Sequence, residues 1–142
     1  MKNTSKNHHR GAKLTTDFML EKWKKGEWLN NFVSKKITSR KPSATFPSVD
    51  REFEDEETKA VIACEFKPDT ENKRGILTGL GQSIAYLKES DASYLISPKY
   101  IEDFNMEKFL KEVFERFIFG KLPVGLVIFD RDYTYIRLVI DI

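Results

Sequence analysis

Glu65 and Lys67 stand two residues apart inside the apolar run Val61-Ile62-Ala63-Cys64-Glu65-Phe66-Lys67. Side chains alternate faces along a strand, so this carboxylate and ammonium share one face. Ile62, Cys64 and Phe66 share the other, the face expected to meet a core. Charges on so apolar a strand are costly unless something satisfies or uses them. Upstream, six of the eight residues from Asp50 to Glu57 are acidic. Ser48 to Glu54 alternates as a strand does, with Val49, Arg51 and Phe53 opposite Ser48, Asp50 and Glu52; Asp55 to Thr58 reads as a turn. A hairpin folded about the Glu57–Thr58 bond opposes residues whose numbers sum to 115. Phe53 then faces Ile62 and Val49 faces Phe66, while Asp50 meets Glu65 and Ser48 meets Lys67 on the other side. A slip of one residue destroys both arrangements.

Two carboxylates meeting across neighbouring strands repel, and each holds its proton more tightly unless a cation lies between them. A divalent cation resolves the conflict. Oxygens from Asp50 and Glu65, with waters and a backbone carbonyl, suit Mg²⁺, which takes few protein ligands and shares its shell with phosphate. Lys67 is then placed to help deprotonate an attacking water or to stabilise charge on a phosphate. That is the chemistry of hydrolytic phosphodiester cleavage. The Glu-x-Lys triplet itself carries no information, because Glu57/Lys59 and Glu71/Lys73 repeat it. The apolar strand and Asp50 single out the middle copy. The residues alone equally admit a structural ion pair between Lys67 and Asp50 or Glu65 at a sheet end.

The elements that must hold these groups follow from periodicity. Residues 1–13 are polar and basic and read as a flexible arm, with His8 and His9 as tail; residues 14–142 form one domain. Thr15, Thr16 or Asp17 can cap a helix carrying Phe18, Trp23, Trp28, Leu29, Phe32, Val33 and Ile37, divided by Gly26. Trp23 and Trp28 read as buried anchors and Cys64 as an inert core thiol. Gly75 to Ser90 reads as a second helix, on which Gln82 and Tyr86 share a face. Gly79 and Gly81 are poor helix formers, and two in one turn imply close backbone approach to the sheet or a ligand. Ala92 to Ser97 is a strand. Asn105 caps a helix through Ile118 that Gly120 and Pro123 stop. Val124 to Phe129 and Thr134 to Ile140 are strands joined by a turn. This order predicts an α/β fold, a mixed β-sheet flanked by helices.

At 142 residues, 40% hydrophobic and 32% charged, the chain is ordinary for one domain with a real core. A single cysteine excludes an internal disulfide and makes a reducing cytoplasm the simplest compartment. There is no zinc-type Cys/His cluster, no signal-peptide core and no apolar run of membrane-spanning length, so no membrane partner is expected. Charge is uneven: residues 1–41 carry 11 Lys/Arg against 3 Asp/Glu, and the remainder 13 against 19. A basic front beside an acidic body fits a polyanion partner and a bound cation, or simply a solvated lysine-rich helix face.

Pro47-Ser48-Val49-Asp50, then Glu65-Phe66-Lys67 closing a strand, then a helix bearing Gln82, resembles the PD-(D/E)XK nuclease superfamily from about Asp17 to Ser97. The resemblance implies a restriction-endonuclease-like core and Mg²⁺-dependent DNA cleavage, with Mn²⁺ able to substitute. It implies Asp50 and Glu65 as metal ligands, the Phe66 carbonyl as a third, and Lys67 as the catalytic lysine. Gln82 and Tyr86 resemble the Gln-x-x-x-Tyr element of exonuclease-like branches, whose glutamine helps organise the site. Glu21 or Glu27 would supply the acidic residue many members carry on the first helix, and Glu52, on the face of Asp50, is an alternative ligand. Pro47 does not directly precede Asp50, and no separate strand is evident ahead of it. Lys73 and Arg74, at a helix start where phosphate is welcome, and Tyr86 are candidate nucleic-acid contacts. The chain has little room for a separate recognition domain, so sequence specificity would need a homodimer, a partner subunit or a missing C-terminal part. Two other classes stay open: a non-cleaving nucleic-acid-binding or assembly subunit, and a structural subunit that pairs through the edge strand Thr134 to Ile140.

Overall fold

The computed structural model describes residues 2–42 and 46–142. Six of its strands are β1 (Ile37–Arg40), β2 (Arg51–Asp55), β3 (Val61–Phe66), β4 (Ala92–Pro98), β7 (Val124–Phe129) and β8 (Ile136–Ile140), joined in that spatial order into one sheet. β5 (Tyr100–Ile101) and β6 (Phe104–Asn105) make a separate ribbon. β1, β2 and β3 pair antiparallel, β3, β4 and β7 run parallel, and β8 returns antiparallel. The fold is therefore α/β with a mixed sheet, as the order of elements predicts.

Both faces of the sheet are buried. Helix α1 (Lys2–Lys24) packs Ala12, Met19 and Trp23 against Phe53, Ile62, Cys64, Phe66, Tyr94, Ile96 and Phe129. Helices α2 (Lys73–Ala85) and α3 (Met106–Val113) pack Ile76, Met106 and Leu110 against Leu95, Leu126 and Ile128. Alternate residues of β4 and β7 thus serve opposite cores, which is why parallel strands read as continuous apolar runs. Cys64 is fully buried, and burial pushes its thiol pKa up.

The hairpin has the predicted register: Arg51 opposes Cys64, Glu52 Ala63, Phe53 Ile62 and Glu54 Val61. An Asx turn pins it, the Asp55 carboxylate accepting the Glu57 and Thr58 N–H groups at 2.9 Å each. Lys59 takes the left-handed φ of 66° that closes the turn.

Four expectations need correction. Residues 2–13 form the first half of α1 rather than an arm, so Thr15, Thr16 and Asp17 lie mid-helix. The middle of the sheet-facing side of α1 is built from small and hydroxyl residues, which hydropathy does not see. Thr15 and Thr16 are buried and satisfy their hydroxyls on the carbonyls of Gly11 (2.8 Å) and Ala12 (2.6 Å), one turn back. Gly11 lies so close to the sheet end that a Cβ there would sit 2.3 Å from both Phe66 Cζ and Tyr133 Oη. Second, α1 stops at Lys24, ahead of Gly26 at φ 79°, so Trp28 through Ile37 are not helical. Asn30 organises that loop by accepting the N–H groups of Phe32 (2.7 Å) and Val33 (3.0 Å). Third, a separate strand does precede Asp50: β1, of which only Ile37 is fully buried. Fourth, helix α2 ends earlier than expected and tightens into a 3-10 turn at Tyr86–Lys88. Among the described residues no helix is long and apolar enough to cross a membrane.

Candidate active site

Glu65 ends β3 on the face turned toward α2, and only 3% of it is exposed. Tyr86, just past α2, places its hydroxyl against Glu65 Oε1 and 2.6 Å from the Ser48 carbonyl. Lys67 reaches back to Glu65 Oε2 at 3.2 Å. Asp50 lies one residue ahead of β2; its N–H donates to the Cys64 carbonyl (3.2 Å), which holds it beside β3. Its Oδ2 accepts the Phe66 N–H at 2.7 Å, fixing the carboxylate at the end of the same strand. The two carboxylates lie near enough for the charge of Asp50 to bear on the proton affinity of Glu65. The hairpin register therefore brings Asp50, Glu65, Phe66 and Lys67 to one spot.

Electrostatics there are unbalanced. Burial first, then the negative charge of Asp50, pushes the Glu65 pKa up to about 7. Burial also raises Asp50, against the lowering effects of the Phe66 N–H and the charges of His8 and Lys67. One ammonium faces two acids, Glu65 buried and Asp50 half-buried. The hydrogen bonds from Tyr86 and Lys67 oppose the rise at Glu65, because each favours the charged carboxylate, but burial and Asp50 outweigh them. The site opens to solvent through Asp50 and Lys67, whose side chains are 19% and 15% exposed.

Gly79 explains how Lys67 fits. A Cβ at Gly79 would lie 2.9 Å from both Cγ and Cε of Lys67 and 3.1 Å from Leu95 Cδ1. The glycine opens a channel along which the lysine stem runs, so the approach is to the sheet. At Gly81 a Cβ would meet nothing within 4 Å.

His8 reaches the site although its neighbourhood in sequence reads as tail. Its Nε2 sits 3.2 Å from the Phe66 carbonyl oxygen and 3.6 Å from Asp50 Oδ1. The contact depends on α1 extending to the chain's beginning, a long-range consequence that local patterning does not carry. His9 stays exposed.

Other candidates fall elsewhere. Tyr86 is only 3% exposed, so it has no free face for a base; it positions Glu65 and is not a nucleic-acid contact. Gln82 lies one turn before it, with a buried side-chain oxygen that has no hydrogen-bond partner. Lys73 and Arg74 are exposed at the start of α2, which Asn72 caps through the Gly75 N–H (2.7 Å). The Lys73 ammonium lies over the Phe104 ring at 4.4 Å. Neither makes an ion pair or hydrogen bond with the site among the described residues. Glu52 pairs with Arg40 at 2.8 Å, Glu21 with Lys25 at 2.9 Å and Glu27 with Lys22 at 2.7 Å, so none of the three joins Asp50.

Among the described residues no group of three or more His, Cys, Asp or Glu side chains is disposed to hold a metal ion. The oxygen set here is two carboxylates and a main-chain carbonyl, which is enough for a hard cation that keeps most of its water. No protein-family model matches this chain, and no curated protein matches it either.

Proposed function

We propose that the protein is a divalent-metal-dependent nuclease with a restriction-endonuclease-like core of the PD-(D/E)XK type, acting on DNA. The observation that carries this reading is the convergence of the Asp50 and Glu65 carboxylates beside the Phe66 carbonyl, with Lys67 in contact and too little positive charge to balance them. Asp50, Glu65 and the Phe66 carbonyl would hold Mg²⁺ or Mn²⁺. When bound, the cation supplies Lewis acidity and a water of lowered pKa. Glu65 would have to be ionised to serve as a ligand, so metal affinity would rise with pH through its raised pKa of about 7. Tyr86 holds the Glu65 carboxylate in place. Gln82, whose buried side-chain oxygen has no hydrogen-bond partner, would be free to accept one from a water. Lys67, an ammonium in contact with Glu65, would stabilise charge on the scissile phosphate. The basic residues of α1 would track the phosphate backbone, which makes binding strongly salt-dependent.

Supercoiled plasmid incubated with Mg²⁺ or Mn²⁺ tests the reading. The native protein is expected to nick or linearise it, EDTA to stop the reaction, and Lys67→Ala to lose a factor of about 100 or more. The competing reading rests on the 3.2 Å Lys67–Glu65 contact as a purely structural ion pair in a nucleic-acid-binding subunit. It requires that native and Lys67→Ala proteins bind DNA alike and that neither cleaves.

A further inference from the structure

The carboxyl ends of β3, β4 and β7 share one rim of the sheet, and the Asp50–Glu65–Lys67 site takes up only the β3 part. At the β4 and β7 ends lies a cavity of about 360 Å³. Its walls come from residues just beyond each strand: Lys99 and Tyr100 after β4, Arg131 after β7, and Tyr135 at the approach to β8. Asp69, two residues past Lys67, closes it on the side of the catalytic candidates, ion-paired with Arg131 at 3.7 Å. Two strand spacings, about 10 Å, separate β3 from β7. That is about three nucleotides of stacked strand at ~3.4 Å each, and fewer once the strand is unstacked.

The chemistry of the walls selects what fits. The Lys99 ammonium sits 5.8 Å from the centroids of both the Tyr100 and Tyr135 rings, so it lies between two aromatic side chains that line the same space. The cavity is lined by three carboxylates, Asp69, Glu102 and Asp130, against two bases, Lys99 and Arg131. Asp69 is matched by Arg131, and Asp130 is engaged by the Thr134 hydroxyl and the Tyr135 N–H (3.1 Å) of its own turn. Glu102 and Lys99 both line the same space. A tyrosine-walled cavity with one more carboxylate than bases does not favour bare phosphate. It suits a flat heteroaromatic ring with both donors and acceptors, Glu102 accepting from ring amino groups and Lys99 donating to ring carbonyls. The volume is at the lower end for small-ligand sites, room for one nucleotide and far short of a duplex.

We propose that this cavity receives the base of an unpaired nucleotide on the strand being cleaved, so that the substrate is single-stranded or frayed at the site; this deepens the nuclease reading and rests on it. A base inside a duplex has no free face to offer Tyr100. Fluorescence anisotropy with a labelled oligothymidylate and a blunt duplex of equal strand length, in EDTA, tests the assignment on the full chain. Tyr100 is 44% exposed, so Tyr100→Ala is expected to keep its melting temperature. The variant should lose at least about fivefold in affinity for the single strand, the lower end of one lost base–aromatic stack. Its duplex affinity should be unchanged, and Tyr100→Phe should bind as the native protein does. Equal single-strand affinity in native and Tyr100→Ala proteins, or an equal loss on both probes, overturns the assignment. Lys67→Ala in the plasmid assay reports separately on cleavage. If that variant cleaves normally while Tyr100→Ala loses the single strand, the catalytic reading falls and a base pocket remains. If Lys67→Ala is inactive and Tyr100→Ala binds normally, the catalytic reading stands and the base pocket falls.

Discussion

Replacing Glu65 by Gln should make the protein more stable at alkaline pH. In the fold Glu65 holds its proton up to about pH 7, because it is buried beside Asp50, against an ordinary value of 4.5. The folded state therefore binds this proton more tightly than the unfolded chain. The resulting penalty is absent below about pH 4.5, grows as pH rises, and is complete above about pH 7. At 1.36 kcal/mol per pH unit the shift corresponds to about 3 kcal/mol. The assay is chemical denaturation in EDTA at intervals from pH 4 to 8, comparing native protein with Glu65→Gln. The two should be nearly equal at pH 4, and the variant ahead by up to about 3 kcal/mol at pH 8. Carboxylates held low elsewhere, such as Asp17 and Asp55, cancel in the difference between the two proteins. Adding Mn²⁺ at pH 8 should close the gap from the native side, because a ligand that binds only the folded state stabilises it by mass action. A stability difference that stays constant across this range would refute the idea that burial and Asp50 strain the Glu65 carboxylate.

Further outcomes follow from the packing around the site. Gly81→Ala should raise stability by about 1 kcal/mol in thermal denaturation, since a methyl there meets open space and alanine favours the helix. Gly79→Ala gains the same propensity but pushes on the Lys67 stem and Leu95, so its stability should change little while cleavage falls at least tenfold. Tyr86→Phe removes the donor to Ser48 and the support of Glu65. Calorimetric titration should show Mn²⁺ affinity about 10–100-fold weaker, as when a partner of a metal ligand is lost.

The β2–β3 hairpin was legible because two independent constraints agree on it. Phe53 and Ile62 need the core, and Asp55 needs the turn N–H groups. The Asn105 cap of α3 was legible for a similar reason: its side chain accepts the Lys108 N–H at 2.9 Å just before a regular apolar stripe. The long α1 was not, since the middle of its sheet-facing side is built from Gly11, Ala12, Thr15 and Thr16, residues whose burial depends on backbone closeness and on hydroxyls bonded within the helix. β1 escaped notice because an edge strand of four residues with one buried side chain leaves almost no periodic signal. At the site, Asp50, Glu65 and Lys67 were visible through register. Reading the face of Glu65 as one open to ligand missed that α2 covers it. Hence Tyr86 is a buried support rather than a contact surface, and Gly79 is the residue that admits Lys67. The role of His8 is set by where α1 lands on the sheet end, which no local pattern states.

The most direct measurement is anomalous diffraction from crystals grown with Mn²⁺. The account predicts one manganese peak about 2.1 Å from oxygens of Asp50, Glu65 and the Phe66 carbonyl, with Lys67 beside it. Density that leaves those three oxygens unliganded, with Lys67 still bridging Glu65, would contradict it.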